Sequence, residues 1–200
     1  MSRLARIAYW TVPSLFCLAL YWPGFRAWFQ QDDFAWLSLN QHLNDPGGLW
    51  ALLFTPRAQG TFRPLSERAF FMVLHGLFGL DATPFRVVVF TTQFANLVLV
   101  ASIAWRLTGW RMAGFLAPLL WVANGNLAVA MSWTSAYNQV LCAFFILASF
   151  RFLLFYLDTG QKRFLAAQWV CFLLGFSALE INVVYPAIAM AYVLTAAPKH

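Results

Sequence analysis

Two adjacent carboxylates, Asp32 and Asp33, are the residues of this chain best suited to chemistry. They stand in segment 30–34 (QQDDF), directly after the first long apolar stretch, in a chain with only seven acidic residues. A carboxylate can take a proton from an acceptor hydroxyl, so either residue could be a general base. Carboxylate oxygens also bind divalent cations, which makes a metal ion held by the pair a second use. The alternative is that both residues only cap and solvate the helix that follows them.

A second set of polar side chains indicates binding of a charged, sugar-bearing substrate. Arg63 opens a predicted loop helix, and its guanidinium fork matches phosphate oxygens. Glu180 interrupts a long apolar stretch, and an ionisable residue in such a place is a functional candidate. In the turn 132–139, Trp133 and Tyr137 could stack on a sugar. The alternatives are an arginine that reaches lipid headgroups, a solvated turn carboxylate and aromatic residues of the membrane interface.

Glu67 and His75 follow Arg63 on the same predicted helix and complete the substrate-binding candidates. His75 could equally be an ordinary interfacial histidine. The sequence contains no phosphate-binding Gly-rich loop, no His-Glu-x-x-His pair and no nucleophile-elbow serine. These absences argue against chemistry on a soluble nucleotide and favour a donor that is carried by a lipid.

The composition is that of a chain adapted to lipid. Hydrophobic residues make up 62% of the chain and charged residues 10%, whereas a soluble domain carries about a quarter charged residues. The 21 Phe and 10 Trp residues suit lipid and interface surfaces. The net charge of +6 does not indicate nucleic-acid binding, because the basic residues are scattered between apolar stretches. The sequence therefore predicts an integral membrane protein with the lipid bilayer, and no nucleic acid, as a partner.

The apolar stretches predict an all-α polytopic fold with about six transmembrane helices, since each span needs about 20 apolar residues. We expect a single transmembrane domain over residues 1–200, with spans at about 7–25, 85–105, 112–131, 140–157, 164–179 and 183–197. One long helix through Glu180 is the alternative to the last two spans. The segment 26–84 is too long for a tight turn. Within it, amphipathic helices at about 33–43 and 65–78 are expected to lie in the membrane interface.

The distribution of charge predicts the orientation of these spans. With the N-terminus inside, the inner segments hold one acid, Asp158, against the basic residues Arg3, Arg6, Arg106, Arg111, Arg151, Lys162, Arg163 and Lys199. Short loops rich in Lys and Arg face the cytoplasm. The loop 26–84, the turn 132–139 and Glu180 then share the outer face. Polar features that are far apart in sequence can therefore meet there.

Several short motifs together resemble the membrane glycosyltransferases of the GT-C superfamily, particularly its protein O-mannosyltransferase, aminoarabinose transferase and TMTC-like branches. In chain order they are Gln31-Asp32-Asp33-Phe34, Phe62-Arg63-Pro64-Leu65, Leu77-Phe78-Gly79-Leu80, Pro84-Phe85-Arg86, Ala130-Met131-Ser132-Trp133-Thr134-Ser135 and Ala178-Leu179-Glu180 with Pro186. The motifs extend over nearly the whole chain, which would correspond to the N-terminal part of the family's core. Leu179 stands where the family usually has lysine, and the arginine of the turn at 133–137 is absent.

The resemblance implies an inverting transfer of a sugar from a polyprenyl-phosphate donor to an acceptor protein or glycolipid at the periplasmic face. It makes Asp32 or Asp33 the catalytic carboxylate, and it places Arg63 and Glu180 in the donor-phosphate and acceptor cavity. The expected location is the bacterial inner membrane, with a cytoplasmic N-terminus. No cofactor is demanded, although a divalent metal ion is compatible with the reaction. An inactive polytopic scaffold or accessory subunit and a transporter of a lipid-linked saccharide remain as alternatives.

Overall fold

The chain folds almost entirely into helices, and the described residues contain no strand. The computed structural model describes residues 2–55 and 61–195. Its α-helices are α1 (Arg3–Leu20), α2 (Trp22–Phe25), α3 (Asp33–Leu37), α4 (Gly48–Phe54), α5 (Phe70–Phe78), α6 (Ala82–Thr108), α7 (Arg111–Val122), α8 (Leu127–Ser132), α9 (Tyr137–Thr159), α10 (Lys162–Gly175) and α11 (Tyr185–Thr195). Turns of 3-10 helix cover Ser38–His42, Thr134–Ala136 and Glu180–Val184, and a π-helical turn covers Pro64–Ala69. The prediction of an all-α fold is confirmed.

Two helical segments of the described chain, α6 and Thr134–Thr159, are long and apolar enough to span a membrane. The second segment is α9 with the 3-10 turn before it. The two helices run parallel, because Thr92 contacts Tyr137 near their starts and Arg106 binds Asp158 near their ends. Between these points, Asn96 Nδ2 donates to a carbonyl oxygen of α9 at 2.9 Å. The centre of the fold is therefore a pair of apolar helices with the same direction.

The other predicted spans correspond to shorter or interrupted helices. The predicted span 112–131 is divided, because α7 ends at Val122 and a turn at 123–126 precedes α8. The predicted spans 7–25, 164–179 and 183–197 correspond to α1 with α2, to α10 and to α11. None of these passes the length and hydropathy test that α6 and α9 pass, so the six-span topology stays a prediction. Residues 56–60 of the predicted loop and 196–197 of the last predicted span lie outside the described residues.

The helices α1, α7 and α10 run in the direction opposite to α6 and α9, so the fold has two distinct ends. Tyr21, just after α1, donates to the carbonyl oxygen of Val122 at the end of α7 at 2.7 Å. Phe164 at the start of α10 contacts Phe155 near the end of α9. Residues 26–55 and 61–81 and the turns at 123–136 and 176–184 thus lie at one end, which we call the loop end. The other, the basic end, holds Asp158 with Arg3, Arg6, Arg106, Arg111, Arg151, Lys162 and Arg163, whereas Lys199 lies outside the described residues.

The segment between α2 and α6 holds more helix than the sequence predicts. The helix expected at 33–43 is α3 followed by the 3-10 turn, and the helix expected at 65–78 is the π-helical turn followed by α5. A further helix, α4, was not predicted. It begins where Gly47 and Gly48 adopt positive φ values of 93° and 50°, a conformation that glycine tolerates best. The two glycines therefore end one helical stretch and start another.

A close contact between α2 and α8 fixes the end of α1 against the turn that precedes α9. Gly24 of α2 is buried, and a Cβ atom placed on it would lie 2.5 Å from the carbonyl oxygen of Met131. Because that neighbour is backbone rather than a flexible side chain, it cannot move aside cheaply. The absence of a side chain at this position lets the two helices touch.

Replacement of Gly24 by alanine should therefore destabilise the fold by about 1–3 kcal/mol through overpacking. Gly125→Ala is the matched control, since a Cβ atom on Gly125 would meet open space. Thermal unfolding of both variants in detergent measures the difference. Equal unfolding temperatures for the two variants would show that the contact of α2 with α8 is not tight.

Candidate functional site

Three segments that are distant in sequence meet at the loop end. Ser66 in the π-helical turn donates its hydroxyl to the carbonyl oxygen of Ala178 at 2.8 Å. Asn138 at the start of α9 donates from Nδ2 to Oε1 of Glu67 at 3.3 Å. The segment 26–81 therefore contacts both turns that the sequence analysis places on its side of the membrane. This convergence assembles the polar residues into one candidate site.

Asp33 is completely buried and holds the first of these segments against the turn before α9. Its Oδ1 accepts hydrogen bonds from the backbone N–H of Ser135 at 2.7 Å and from the Ser135 hydroxyl at 2.5 Å. Its Oδ2 accepts from the backbone N–H of Gln30 at 2.9 Å. A buried charge is tolerated only when hydrogen bonds or opposite charges compensate it. The Asp33 carboxylate is thus fully engaged in joining two parts of the fold.

Asp32 has the opposite environment, although it is the neighbouring residue. Its side chain is exposed, and no donor among residues 2–55 and 61–195 binds its carboxylate. Gln31, with a positive φ of 48°, turns the backbone just before the pair, and neither carboxylate caps α3 with its side chain. Asp32 occupies the N-cap position and Asp33 the first turn of α3, but within the described residues no capping hydrogen bond from either side chain is present. The two neighbours therefore differ: Asp33 is buried and held by hydrogen bonds, whereas Asp32 is exposed to solvent.

A metal ion shared by this pair does not fit the geometry. The oxygens of Asp33 already accept three hydrogen bonds, and Asp32 is exposed. Divalent ions such as Ca²⁺ need several oxygen ligands around one point. No group of three or more His, Cys, Asp or Glu side chains suitable for a metal occurs in the described part of the chain. Asp32 and Asp33 are therefore not arranged to hold a metal ion together.

Arg86 in α6 is a site residue that sequence reasoning missed. It is completely buried and donates from Nε to the carbonyl oxygen of Ala27 at 3.2 Å and from Nη2 to that of Trp28 at 3.4 Å. Its positive charge also interacts with the Asp33 carboxylate. Arg86 therefore fixes the backbone that leads to the acidic pair and partly offsets its buried negative charge. The sequence feature that could have pointed to Arg86 is the motif Pro84-Phe85-Arg86.

Arg63 joins two glutamates of different exposure. Its Nη1 donates to Oε1 of Glu67 at 2.5 Å, its Nη2 donates to Oε2 of Glu180 at 2.9 Å, and its Nε lies 3.1 Å from both Glu180 oxygens. The Glu67 side chain is 4% exposed, whereas that of Glu180 is 58% exposed. Thr61 also donates to Glu67 at 3.1 Å. Glu67 is thus a fixed partner of Arg63, and Glu180 is a partner that water can reach.

The electrostatics of this ion pair set its response to pH. Burial alone would raise the pKa of Glu180, but the hydrogen bond from Arg63, its own backbone N–H and the positive charge lower it by more. Burial alone would lower the pKa of Arg63, but the hydrogen bonds and charges of Glu180 and Glu67 raise it. Both residues are therefore held in their charged forms at neutral pH.

Asp33 and the Arg63 group both contact residues 135–138, where the 3-10 turn passes into α9. Asp33 binds Ser135 and Glu67 binds Asn138. Residues three apart on a helix have Cβ atoms separated by about 5–6 Å. One turn of the chain at the start of α9 therefore connects the acidic pair with the Arg63 group.

The remaining predicted site residues have three different placements. Trp133 is half-buried, and its indole Nε1 has no hydrogen-bond partner in the described chain. Tyr137 is buried against Phe70, with ring centroids 4.2 Å apart, so it packs within the protein. His75 lies with Nδ1 3.1 Å from the Asn40 amide. No described contact connects His75 with Arg63, Glu67 or Glu180.

The π-helical turn explains how Arg63 is held. Pro64 opens the turn, and Arg68 within it is buried. Arg68 donates to the carbonyl oxygens of Leu52, Thr55 and Thr61, which ties α4 to the segment that carries Arg63. π-helical turns are rare and are frequent at functional sites. Neither α4 nor the role of Arg68 could be read from residue spacing.

A small cavity lined by amides lies beside this site. It has a volume of about 180 Å³, and its polar lining consists of Gln93, Asn124, Asn126 and Gln139. Gln93 is completely buried, and its Nε2 has no partner among the described residues. The polar residues that divide the predicted span 112–131 thus face this cavity.

No family model, curated protein or solved structure matches the chain significantly. Membership of the GT-C superfamily therefore stays a prediction that rests on the motifs.

Removal of the Ser135 hydroxyl should test the Asp33 contact. Ser135→Ala leaves a buried, charged acceptor with one hydrogen bond fewer and should destabilise the fold by about 1–3 kcal/mol. Ser132→Ala is the control, because that hydroxyl binds the carbonyl oxygen of Ala128 within its own helix. Thermal unfolding in detergent compares the two variants. A loss as large for Ser132→Ala as for Ser135→Ala would contradict the structural role of Asp33.

Acid should weaken the Arg63–Glu180 pair in a predictable window. Because the folded pKa of Glu180 is lowered, the stability that the pair contributes is complete above the ordinary glutamate range. It is lost as the pH falls from the ordinary glutamate range through the lowered folded pKa. The unfolding temperature of the unmodified chain should therefore fall more steeply in acid than that of Glu180→Gln. The effect is small, since exposed pairs contribute about 1 kcal/mol or less.

Asp32→Asn is the control for this pH series, because Asp32 makes no ion pair in the described chain. Its acid profile should follow that of the unmodified protein. If Glu180→Gln also follows it, the ion pair makes no contribution to folding stability.

Proposed function

We propose that this chain is a membrane glycosyltransferase of the GT-C type, which moves a sugar from a polyprenyl-phosphate donor to an acceptor protein or glycolipid. The observation that carries this proposal is the junction at the start of α9. There, one helical turn joins a segment with an exposed carboxylate, Asp32, to the group of Arg63, Glu67 and Glu180. The reaction requires a general base for the acceptor hydroxyl and a cationic group for the donor phosphate, and the two connected segments offer one of each.

Asp32 is the general base of the proposed reaction. It takes the proton of the acceptor hydroxyl while that oxygen attacks the anomeric carbon of the donor sugar. The bond between the anomeric carbon and the donor phosphate oxygen breaks, and the phosphate leaves with the polyprenol. Attack from the face opposite the leaving phosphate inverts the anomeric configuration. Asp33 positions this base through its contact with Ser135.

Arg63 binds the leaving phosphate in this scheme. Glu180 is its exposed partner, so the donor phosphate can replace Glu180 on the guanidinium without opening the core. Glu67 is buried and keeps Arg63 in place during the exchange. Trp133 is half-buried, so the accessible part of its ring can contact the sugar or acceptor. Tyr137 supports the site from within the protein.

The surface of the fold supports placement in a lipid bilayer. Large apolar side chains are exposed on several helices, including Leu15, Leu120, Leu173 and Leu194. With the basic end at the cytoplasm, the N-terminus is cytoplasmic and the loop end faces the outside. For a bacterial cell this describes the inner membrane, with the site at the periplasmic face. A lipid-linked donor reaches such a site from within the bilayer.

A polytopic scaffold or accessory subunit is the second candidate. One observation favours it: Arg63 and Asp33 already have partners within the protein. If these contacts are permanent, they hold the loop end together and no substrate enters. The two candidates differ in whether Asp32 is needed for sugar transfer.

Asp32→Asn should separate the two candidates. Loss of a general base reduces a rate by about 100- to 10,000-fold, and because Asp32 is exposed the thermal unfolding temperature should not change. Membranes that contain the variant are assayed for transfer from radiolabelled polyprenyl-phosphate sugars to endogenous acceptors. Asp33→Asn should instead lower the unfolding temperature, since it alters a buried acceptor.

Asp45→Asn is the matched control, because Asp45 is an exposed acid of the same loop whose only ion-pair partner in the described chain is His42. This variant should transfer sugar at the unmodified rate. Full transfer activity in Asp32→Asn membranes would refute the proposed base and leave the scaffold as the better reading.

A further inference from the structure

The basic end contains a cavity with two unpaired cations, which the proposed transfer reaction does not use. It has a volume of about 230 Å³ and is lined by Arg6, Tyr9, Trp10, Trp105 and Arg111. In the part of the chain that the structure describes, neither arginine has a carboxylate within ion-pair distance. The guanidinium of Arg111 lies 5.2 Å from the Trp105 ring centroid. Two positive charges therefore border one cavity, and no carboxylate of the described chain neutralises them.

An orphaned hydroxyl lies at the same place. The Oη of Tyr9 is buried and has no hydrogen-bond partner in the described chain. A buried polar atom without a partner costs free energy unless something binds it. This hydroxyl packs against Gly114 of α7, so the donors that face the cavity without matching acceptors are the two guanidinium groups.

A second cavity continues from the first and shares Trp10 and Trp105 with it. Its volume is about 470 Å³, and Arg151 is among its lining residues. Arg151 donates from Nε to the Ser102 hydroxyl at 2.8 Å, whereas its buried Nη1 has no partner among the described residues. Arg106 in the same cavity is already paired with Asp158. The excess of donors therefore extends across both cavities.

Apolar grooves lead away from both basic cavities. A groove of about 510 Å³ between α1 and α7 is lined only by Val12, Phe16, Phe115, Leu116, Leu119, Leu120 and Ala123. Its Phe115 ring contacts Tyr9 of the first basic cavity at 5.9 Å. From Phe115 to Ala123 the helix rises about 12 Å. A second apolar groove, of about 430 Å³, shares Arg151 with the second basic cavity.

We propose that the basic end binds one anionic phospholipid, with its phosphate between Arg6 and Arg111 and an acyl chain in the groove between α1 and α7. Phosphate oxygens accept hydrogen bonds from guanidinium groups, which match them in charge and geometry. A neutral lipid would leave the two cations uncompensated, and a soluble phosphate would leave the groove unused. Basic pockets between membrane helices commonly bind anionic headgroups at the cytoplasmic side. The inference uses the membrane placement of the chain but not the transfer reaction.

Lipid titration of the purified full chain in detergent tests this proposal. Dioleoyl-phosphatidylglycerol should raise the unfolding temperature and remain bound in native mass spectrometry, because a ligand of the folded state stabilises it. Dioleoyl-phosphatidylcholine, with the same acyl chains, should do neither. The double variant Arg6→Gln/Arg111→Gln should weaken phosphatidylglycerol binding by about tenfold or more, since each basic residue contributes about 1 kcal/mol.

The matched control is Arg3→Gln/Lys162→Gln, which removes two charges from the same end but from outside the cavities. An equal loss of binding in this control would show non-specific attraction and overturn the site. Equal effects of the two lipids would overturn it as well. Inorganic phosphate at millimolar concentration should not stabilise the chain, and stabilisation equal to that by the lipid would assign the cavity to a soluble anion instead.

A second measurement needs no substitution and so does not depend on whether a variant folds. Dihexanoyl-phosphatidylglycerol has the same headgroup but short chains that bury less apolar surface in the groove. It should bind the unmodified protein about tenfold or more weakly, since each buried methylene contributes about 0.8 kcal/mol. Equal affinity for the short and long lipids would refute the acyl-chain groove.

Discussion

The buried contact between Asp33 and Ser135 is the interaction on which the loop end depends. A carboxylate with no exposed surface must have its oxygens satisfied by hydrogen bonds within the fold. Those bonds come from Gln30, three residues earlier in the chain, and from Ser135, about a hundred residues away. Charged hydrogen bonds are short and sensitive to direction. The position of the segment that carries Asp32 is therefore determined by the turn that begins α9.

The same turn also determines the position of the Arg63 group. Asn138 holds Glu67, and Glu67 holds Arg63, so the charges of the site form a connected series that starts from α9. Exposure increases along this series, from the buried Glu67 to Glu180. Rigid parts of the site thus lie inside the fold, while the groups that can exchange partners lie at its surface. Such a gradient suits a site that must remain in place while a ligand enters.

Sequence patterns predicted much of this arrangement but not its contacts. Hydropathy predicted α6 and α9 closely, since long apolar runs leave few other structures. The distribution of charged residues predicted that the loop, the turn at 132–139 and Glu180 share one side. Hydrogen bonds between these segments are consistent with that prediction. The pattern could not distinguish Asp32 from Asp33, because burial depends on Ser135, which no spacing connects to either. It also missed α4, whose start depends on the positive φ values of Gly47 and Gly48.

Arg68 has a consequence for how this chain can vary. Its guanidinium donates hydrogen bonds to the carbonyl oxygens of Leu52, Thr55 and Thr61. One side chain therefore holds the end of α4 and the start of the segment that carries Arg63. The position of α4 and that of the segment carrying Arg63 are thus both set by one charged side chain. A substitution of Arg68 would therefore release both of them at once, whereas loss of an ordinary packing contact would loosen only one.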